Sequence, residues 1–212
     1  MAAITINNVQ CYYPTLAEAK TFQEGQHPKY SIKILIPKTD KEQIKKIKDF
    51  YTAGVQKNTV WGKGKMAQVL KVANDAGDPY NDNALLKDGD KLNKRRVDEE
   101  KEPIAVYAGH YVIGASRRED FNPVVVVDQH NKHIPKEKIS GQIQAGYYIN
   151  ANLQLYLWDK PKSGVSFTLV GVQKVKECML EENNPFEKLD IPEDEEFDQD
   201  EKVNENDIFD EE

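Results

Sequence analysis

The sequence has little cysteine and no long apolar segment. Its two cysteines, Cys11 and Cys178, lie far apart and match no metal-ligand spacing. No apolar run approaches the ~20 residues that a membrane-spanning helix needs. The first ten residues lack the basic stretch and apolar core of a signal peptide. We therefore expect a reduced, cytoplasmic protein without a membrane partner.

Sequence motifs of catalysis are also missing. "TVWGKGKM" is not a phosphate-cradling loop, because its glycine spacing differs and Met66 stands where Ser or Thr would contact magnesium. His130 and His133 are three residues apart, but no further ligand pattern accompanies them. We predict no enzyme activity, no catalytic residue, no metal site and no cofactor. A metal-dependent nuclease that uses scattered carboxylates stays an alternative, since such enzymes have weak sequence signatures.

Charge is distributed very unevenly along the 212 residues. Residues 181–212 contain 16 acidic side chains and 2 lysines, whereas the preceding 180 residues carry a net charge of +7. A basic body followed by an acidic arm is typical of proteins that meet nucleic acid. The arm has too few apolar residues to offset the entropy of ordering, so we predict a disordered acidic tail over residues 177–212.

Strand patterns dominate the basic body. In residues 28–38, Tyr30, Ile32, Ile34 and Ile36 alternate with polar residues, which predicts a half-buried strand. Further β-rich segments follow at residues 104–118, 121–129, 143–159 and 164–176. Together these segments predict a small, mostly-β barrel.

One amphipathic helix is predicted over residues 40–56. Ile44, Ile47, Tyr51 and Val55 recur at helical intervals, and Thr39 and Glu42 have the spacing of a capping box. Residues 62–102 are rich in turn formers and charge, so we expect a long surface loop there. Its "KLNKRR" cluster could contact phosphate, or the acids that follow it could neutralise it.

The strand at residues 143–158 has an unusual outward face. One face is aliphatic, whereas the other presents Tyr148, Tyr156 and Trp158 interspersed with amides such as Asn150, and no charge. Unpaired bases stack on aromatic rings without needing a particular sequence, so this face is a candidate stacking platform for DNA or RNA. The alternative is that these aromatic rings only stabilise the outer face of a sheet.

Cations near the strands supply the phosphate attraction that nucleic-acid binding requires. Those on strands or at strand ends are Lys33, Arg117, Arg118 and Lys174, and the glycine-flexible "TVWGKGKM" loop adds Lys63, Lys65 and the aromatic Trp61. Trp61 could equally be a core residue at the end of the helix.

Several segments resemble a known family. "CYYPTL", "PKYSIKILIPK", "YAGHYVIGAS" and "SGQIQAGYYINANLQLYLWD", ending in "GVQKVK", are similar to the single-stranded-DNA-binding proteins of tailed-phage replication. The resemblance spans most of residues 5–176 and implies an OB-fold domain over residues 1–176. It also implies single-stranded-DNA binding with little sequence preference, in the cytoplasm of an infected bacterium. The matching positions are Tyr107, Tyr111, Tyr148 and Tyr156.

Two large apolar residues, Ile208 and Phe209, lie near the tip of the acidic tail. We expect the tail to compete with DNA for the basic body and, once released, to bind a phage or host replication protein such as a polymerase, helicase or nuclease through this tip. An acidic protein that mimics DNA is a further alternative, against which the basic body argues.

Overall fold

The computed structural model describes residues 3–22, 24–160 and 162–177. The strands of this part are β1 (Ala3–Lys20), β2 (Lys29–Pro37), β3 (Lys87–Asp88), β4 (His110–Arg118), β5 (Val125–Val127), β6 (Tyr148–Trp158) and β7 (Gly164–Lys176). The helices are α1 (Lys41–Gln56), α2 (Lys63–Asn74), α3 (Gly89–Asp98) and α4 (Lys136–Gln142), and a 3₁₀ turn covers Ala105–Tyr107.

Five of the strands close into a barrel. β1 pairs with β2 and β6, β2 pairs with β4, and β6 pairs with β7, all antiparallel. The barrel closes where β4 and β7 run parallel, with Ala115 opposite Phe167. β3 and β5 extend the sheet beside β4 and β7. The mostly-β, OB-like barrel expected from the sequence is confirmed.

Alternation builds the barrel core, although Leu35 on the outward face of β2 is also buried, in a second cluster with Tyr107 and Val112. On β2, Ile32, Ile34 and Ile36 are buried, whereas Lys33 between them is exposed. On β6, Ile149, Ala151 and Leu153 are buried in the same way. Apolar burial of this kind contributes about 25 cal/mol per Å² to folding. The predicted faces of both strands are therefore correct.

Helix α1 packs on this core through the predicted residues Ile44, Ile47, Tyr51 and Val55. Its N-cap is Asp40 rather than Thr39, because the Asp40 carboxylate accepts a hydrogen bond of 2.9 Å from the Gln43 amide.

Residues 62–102 are more ordered than the loop expected from sequence. They contain α2, whose Val69 and Ala73 are buried, and α3. We refer to residues 82–107 as the α3 arm. The arm is anchored to the barrel because its Leu85 and Leu86 belong to the main core.

Polar contacts also hold the α3 arm in place. Lys38 Nζ lies 2.6 Å from carboxylate oxygens of both Asp88 and Asp90. The second Asp90 oxygen accepts a 3.0 Å hydrogen bond from the Gly109 amide. Asn93 exchanges two hydrogen bonds of 2.9 Å with the backbone of Ile104. The arm is therefore a fixed wall beside the barrel.

Close packing fixes the start of α3. Gly89 is buried, and a Cβ atom at this position would lie 2.0 Å from the carbonyl oxygen of Tyr107. Only glycine fits this approach. The predicted acidic tail, including Ile208 and Phe209, lies outside the described residues apart from Glu177.

Candidate nucleic-acid interface

A groove of about 830 Å³ lies between the α3 arm and the outer face of the barrel. Its floor is formed by β2, β4 and β7, with Lys33, Gly114 and Ser166 among the lining residues. Phe22, from the loop between β1 and β2, and Trp158, at the end of β6, line it as well. In OB folds this outer face and the loops after the first and fourth barrel strands bind oligonucleotides and oligosaccharides.

Positive charge dominates the groove. The cations that line it are Lys29, Lys33, Lys87, Arg95, Arg96 and Lys101, whereas the carboxylates are Asp82 and Glu99. A concave surface lined by one sign of charge concentrates ions of the opposite sign. The groove therefore favours an anionic ligand.

Ion pairs neutralise some of these cations. Glu99 contacts Arg95 at 2.7 Å and Lys101 at 2.8 Å, and these two partners lower the pKa of the Glu99 carboxyl to about 2. Asp82 lies 3.2 Å from Lys87. Within the described residues, Lys29 and Lys33 contact no carboxylate and form no side-chain hydrogen bond. Arg96 also lacks a carboxylate partner, but its guanidinium donates to the Glu102 carbonyl at 2.7 Å. Lys29 and Lys33 are therefore the cations most available to phosphate.

Aromatic rings stand at the edges of the same groove. Tyr13 and Phe22 are 58% and 59% exposed, respectively, far more than apolar side chains that serve the core. Trp158 stacks on Tyr156, with ring centroids 6.0 Å apart and planes inclined by 22°. The Trp158 ring also lies across Gly164, where a Cβ atom would overlap it. Exposed rings beside cations suit unpaired bases and phosphates together.

A tyrosine cluster supports the wall beneath the arm. Tyr12 packs against Tyr13 and Tyr107 at centroid distances of 4.2 and 6.0 Å. Desolvation, followed by the hydrogen bond and proximity to Tyr13, raises the pKa of Tyr12 to about 12. The packing of Tyr12 against both rings places Tyr13 at the groove edge.

Some residues proposed from sequence meet in this groove. Lys33, Tyr107 and Trp158 line it, and Tyr156 stacks directly behind Trp158. Tyr107 is only 6% exposed, so little of its ring is accessible for stacking. Arg95 and Arg96 of the "KLNKRR" cluster also line the groove.

Other proposed aromatic residues lie elsewhere. Trp61 is 5% exposed and belongs to the main core, so the alternative core role is the one that the structure supports. Tyr111 packs against the same core, with Lys38 5.5 Å from its ring. Tyr148 is outward-facing but lies beside Lys176, away from the groove.

Asn150 and three of the proposed cations are engaged by the protein itself. Asn150 accepts from the Asn8 amide at 2.8 Å and donates to Gln173 at 2.9 Å. The Arg117 guanidinium donates to the carbonyl of Asn122. Arg118 forms an ion pair with Asp120, and the buried Lys174 pairs with Glu177. Asn150, Arg117, Arg118 and Lys174 therefore have partners within the chain and lie outside the groove lining, and their role in DNA binding stays a prediction.

The two lysines at the start of α2 are also outside the groove. Lys63 and Lys65 are exposed, and Lys65 forms a 2.8 Å ion pair with Asp159. Asp159 follows Trp158 directly, so this pair lies next to one end of the groove rather than in it.

The sequence patterns do not predict a role in binding for four residues that line the groove, Tyr13, Phe22, Lys29 and Lys87. Exposure of Tyr13 and Phe22 could have been predicted from the sequence, since each is a large aromatic residue beside a turn-forming or polar residue. Their role depends on which strands become neighbours in the barrel.

Neither a metal-binding cluster nor a membrane-spanning helix is observed in the described residues. No group of three or more His, Cys, Asp or Glu side chains there is arranged to hold a metal ion. No helix of this part is long and apolar enough to span a membrane.

A closed OB-like barrel with a cationic, aromatic groove defines a class of oligonucleotide-binding folds. The comparisons with known proteins are more specific. The family model described as Enterobacter phage Enc34, ssDNA-binding protein matches residues 2–206 of this chain. The chain therefore belongs to this family, which confirms the resemblance seen in its sequence.

Individual proteins are similar to this chain over most of its length. Putative protein p50 of Acyrthosiphon pisum secondary endosymbiont phage 1 is 28% identical over 170 residues, which make up 80% of this chain and 81% of p50. The single-stranded-DNA-binding protein of bacteriophage Enc34 in complex with ssDNA has a TM-score of 0.60 and 22% identity, covering 85% of this chain and 89% of that chain. The C-terminally truncated form of that protein has a TM-score of 0.60 and 24% identity, covering 84% of this chain and 87% of that chain. These structures share the fold.

Proposed function

We propose that this protein binds single-stranded DNA in the groove between the barrel and the α3 arm, with little sequence preference and without chemical turnover. The observation that carries the proposal is the combination of unpaired cations and exposed aromatic rings in one groove. Stacking on rings accepts every base, and cations bind every phosphate, so neither contact selects a sequence. The description of the matching family and the names of the two Enc34 structures support the same ligand.

The Trp158 ring provides the direct test. Replacing it in Trp158→Ala should weaken binding of a poly-thymidine strand about 5- to 150-fold, the loss of one stacked base at about 1–3 kcal/mol. Tyr148→Ala is the matched control, because Tyr148 is an outward aromatic residue of the same strand outside the groove. Equal affinities of the two variants, measured by fluorescence anisotropy, would contradict stacking in the groove.

Tryptophan fluorescence gives an independent measurement. Trp61 is buried, whereas Trp158 lines the groove. In a Trp61→Phe variant, Trp158 is the only tryptophan that fluoresces. A base stacked on its ring should quench that fluorescence. A strand that binds without quenching would place the bases elsewhere.

We further infer that the protein acts in phage DNA replication or recombination in the cytoplasm of the infected bacterium. The acidic segment 181–212 carries a net charge of −14, opposite to that of the groove, which supports competition with DNA. A protein truncated after Leu180 should bind single strands more tightly than the full chain, and the difference should shrink at high salt. Equal affinity at low salt would refute this competition.

The tail tip has its own role in this proposal. Ile208 and Phe209 would bind an apolar pocket on a replication protein, with the neighbouring acids meeting its basic rim. Phe209→Ala should then lose that partner in a pull-down while keeping its DNA affinity. Full retention of every replication partner would contradict docking at the tip.

A further inference from the structure

The most distinctive cation of the groove is Lys33. It lies on the floor in the middle of β2, opposite Gly114 of β4. A Cβ atom built on Gly114 would be 3.3 Å from Lys33 Nζ. The ammonium group therefore reaches across the neighbouring strand and lies over the glycine.

Lys33 forms no hydrogen bond or ion pair with the described residues. Its side chain is accessible to solvent, but the concave walls of the groove lie around it and partly desolvate the ammonium group. Its charged neighbours are Lys87 and Asp82, and Asp82 is already paired with Lys87 at 3.2 Å. Desolvation in the groove, with the nearby charge of Lys87, lowers the pKa of Lys33. A partly desolvated cation beside a second cation is unfavourable until an anion arrives.

The floor around Lys33 also has room for that anion. Gly114 is exposed, and glycine inside a strand often marks a position where a ligand approaches the backbone closely. Two residues along β4, Ser116 lies on the same outward face and lines the groove. Its hydroxyl has no hydrogen-bond partner in the part of the chain described. An ammonium group and a free hydroxyl thus flank an open stretch of backbone.

We propose that Lys33 and Ser116 bind the phosphodiester backbone over Gly114, so that the bases of the bound strand turn toward the aromatic rim. This inference rests on the proposed function and adds an orientation to it. A phosphate oxygen suits the site better than a base edge, since it supplies the missing negative charge. Tyr13, Phe22 and Trp158 at the edges of the groove are the rings that would receive the bases.

The test uses the full-length protein and two oligonucleotides of about 16 nucleotides, the upper site size of one OB fold. One oligonucleotide is poly-thymidine and the other has abasic central positions, which keep the phosphates but offer no base. The variants are Lys33→Gln and, as control, Lys41→Gln, an exposed lysine of α1 outside the groove. Affinity is measured by anisotropy between about 50 and 200 mM salt.

If Lys33 contacts phosphate, Lys33→Gln weakens binding of both oligonucleotides by the same factor, about fivefold near 0.1 M salt, and lowers the salt slope by about 0.7. Lys41→Gln changes neither quantity. In the same assay, Trp158→Ala lowers the affinity for poly-thymidine but not the affinity for the oligonucleotide with abasic central positions. Gly114→Val adds bulk beneath the Lys33 ammonium group and lowers the affinity for both oligonucleotides. Its melting temperature shows whether the variant is folded.

A different pattern overturns the orientation. Loss of affinity for poly-thymidine alone in Lys33→Gln would show that the lysine contacts bases. An unchanged salt slope would show that it contacts no phosphate. Failure of the wild-type protein to bind either oligonucleotide is a separate result, because it rejects the proposed function itself.

Discussion

Replacing Gly89 by alanine tests whether the α3 arm is a packed wall of the groove. The new Cβ atom would lie 2.0 Å from the Tyr107 carbonyl oxygen and 2.8 Å from that of His110. Both contacts are with backbone, which cannot rotate away as a side chain can. Helix α3 must therefore move away from residues 107–110, and Arg95 and Arg96 move with it.

The expected cost follows from this overlap. Overpacking in a dense region destabilises proteins by about 1–3 kcal/mol, and contacts with fixed backbone belong at the upper end. The arm contributes Leu85 and Leu86 to the main core, so the arm and the barrel should unfold together. For a chain of this size, a loss of about 2–3 kcal/mol lowers the melting temperature by about 4–12 °C.

The matched control is Gly64→Ala. Gly64 lies in α2, and a Cβ atom there would meet nothing within 4 Å. Alanine has the higher helix propensity, so this variant should gain up to about 1 kcal/mol. Thermal unfolding followed by circular dichroism measures both variants, and anisotropy measures their affinity for single-stranded DNA.

The packed arm would be contradicted if Gly89→Ala melted at or above the temperature of Gly64→Ala and bound DNA as tightly. Such a result would mean that the arm shifts without cost and contributes no fixed wall. A lower melting temperature with weakened binding supports the packed arm.

Three further predictions concern charge and hydrogen bonding. Because the pKa of Lys33 is lowered in the folded state, folding stability should rise with pH as Lys33 neutralises below its usual pKa of 10.5. Lys33→Met should remove this rise and melt no lower than wild type at neutral pH; a lower melting temperature would contradict the desolvation argument. Lys38 and the Gly109 amide lower the pKa of Asp90, so its stabilisation is present above the usual value of 3.8 and is lost as pH falls through the lowered value. Asp90→Asn should therefore flatten the acid side of the stability curve, and an unchanged acid titration would argue against this ion pair. Asn150→Ala should cost about 0.5–1.5 kcal/mol for each hydrogen bond lost with Asn8 and Gln173, neither of which is buried; any change in DNA affinity would place Asn150 in the interface.

Local periodicity explains what could be predicted of the fold. The alternation of Ile32, Ile34 and Ile36 and the helical spacing from Ile44 to Val55 each identify an element and its buried face. Such patterns need only neighbours along the chain. Strand β1 lacks a regular pattern because Asn8 and Tyr13 have φ values of 50° and 47°, near register shifts in its pairing.

The candidate site was harder to predict, since it depends on distant residues. The outward direction of Trp158 follows from strand parity, but its place beside the groove depends on the pairing of β6 with β7. The same parity rule also selected Asn150, which hydrogen bonds from Asn8 and to Gln173 occupy. Arg95 and Arg96 reach the groove only because the α3 arm folds back beside the barrel. No single strand carries that information.

The parallel pairing of β4 with β7 has a consequence for folding kinetics. It joins Ala115 to Phe167, and β1 pairs with β6, with Ala3 opposite Gln154. Contacts so distant in sequence must overcome a large loop-closure entropy before they stabilise the chain, which makes such barrels slow to fold. During synthesis, the barrel cannot close until β7 has left the ribosome. The groove is therefore completed late in translation. Under the proposed function, a nascent chain that lacks β7 has no complete groove for nucleic acid.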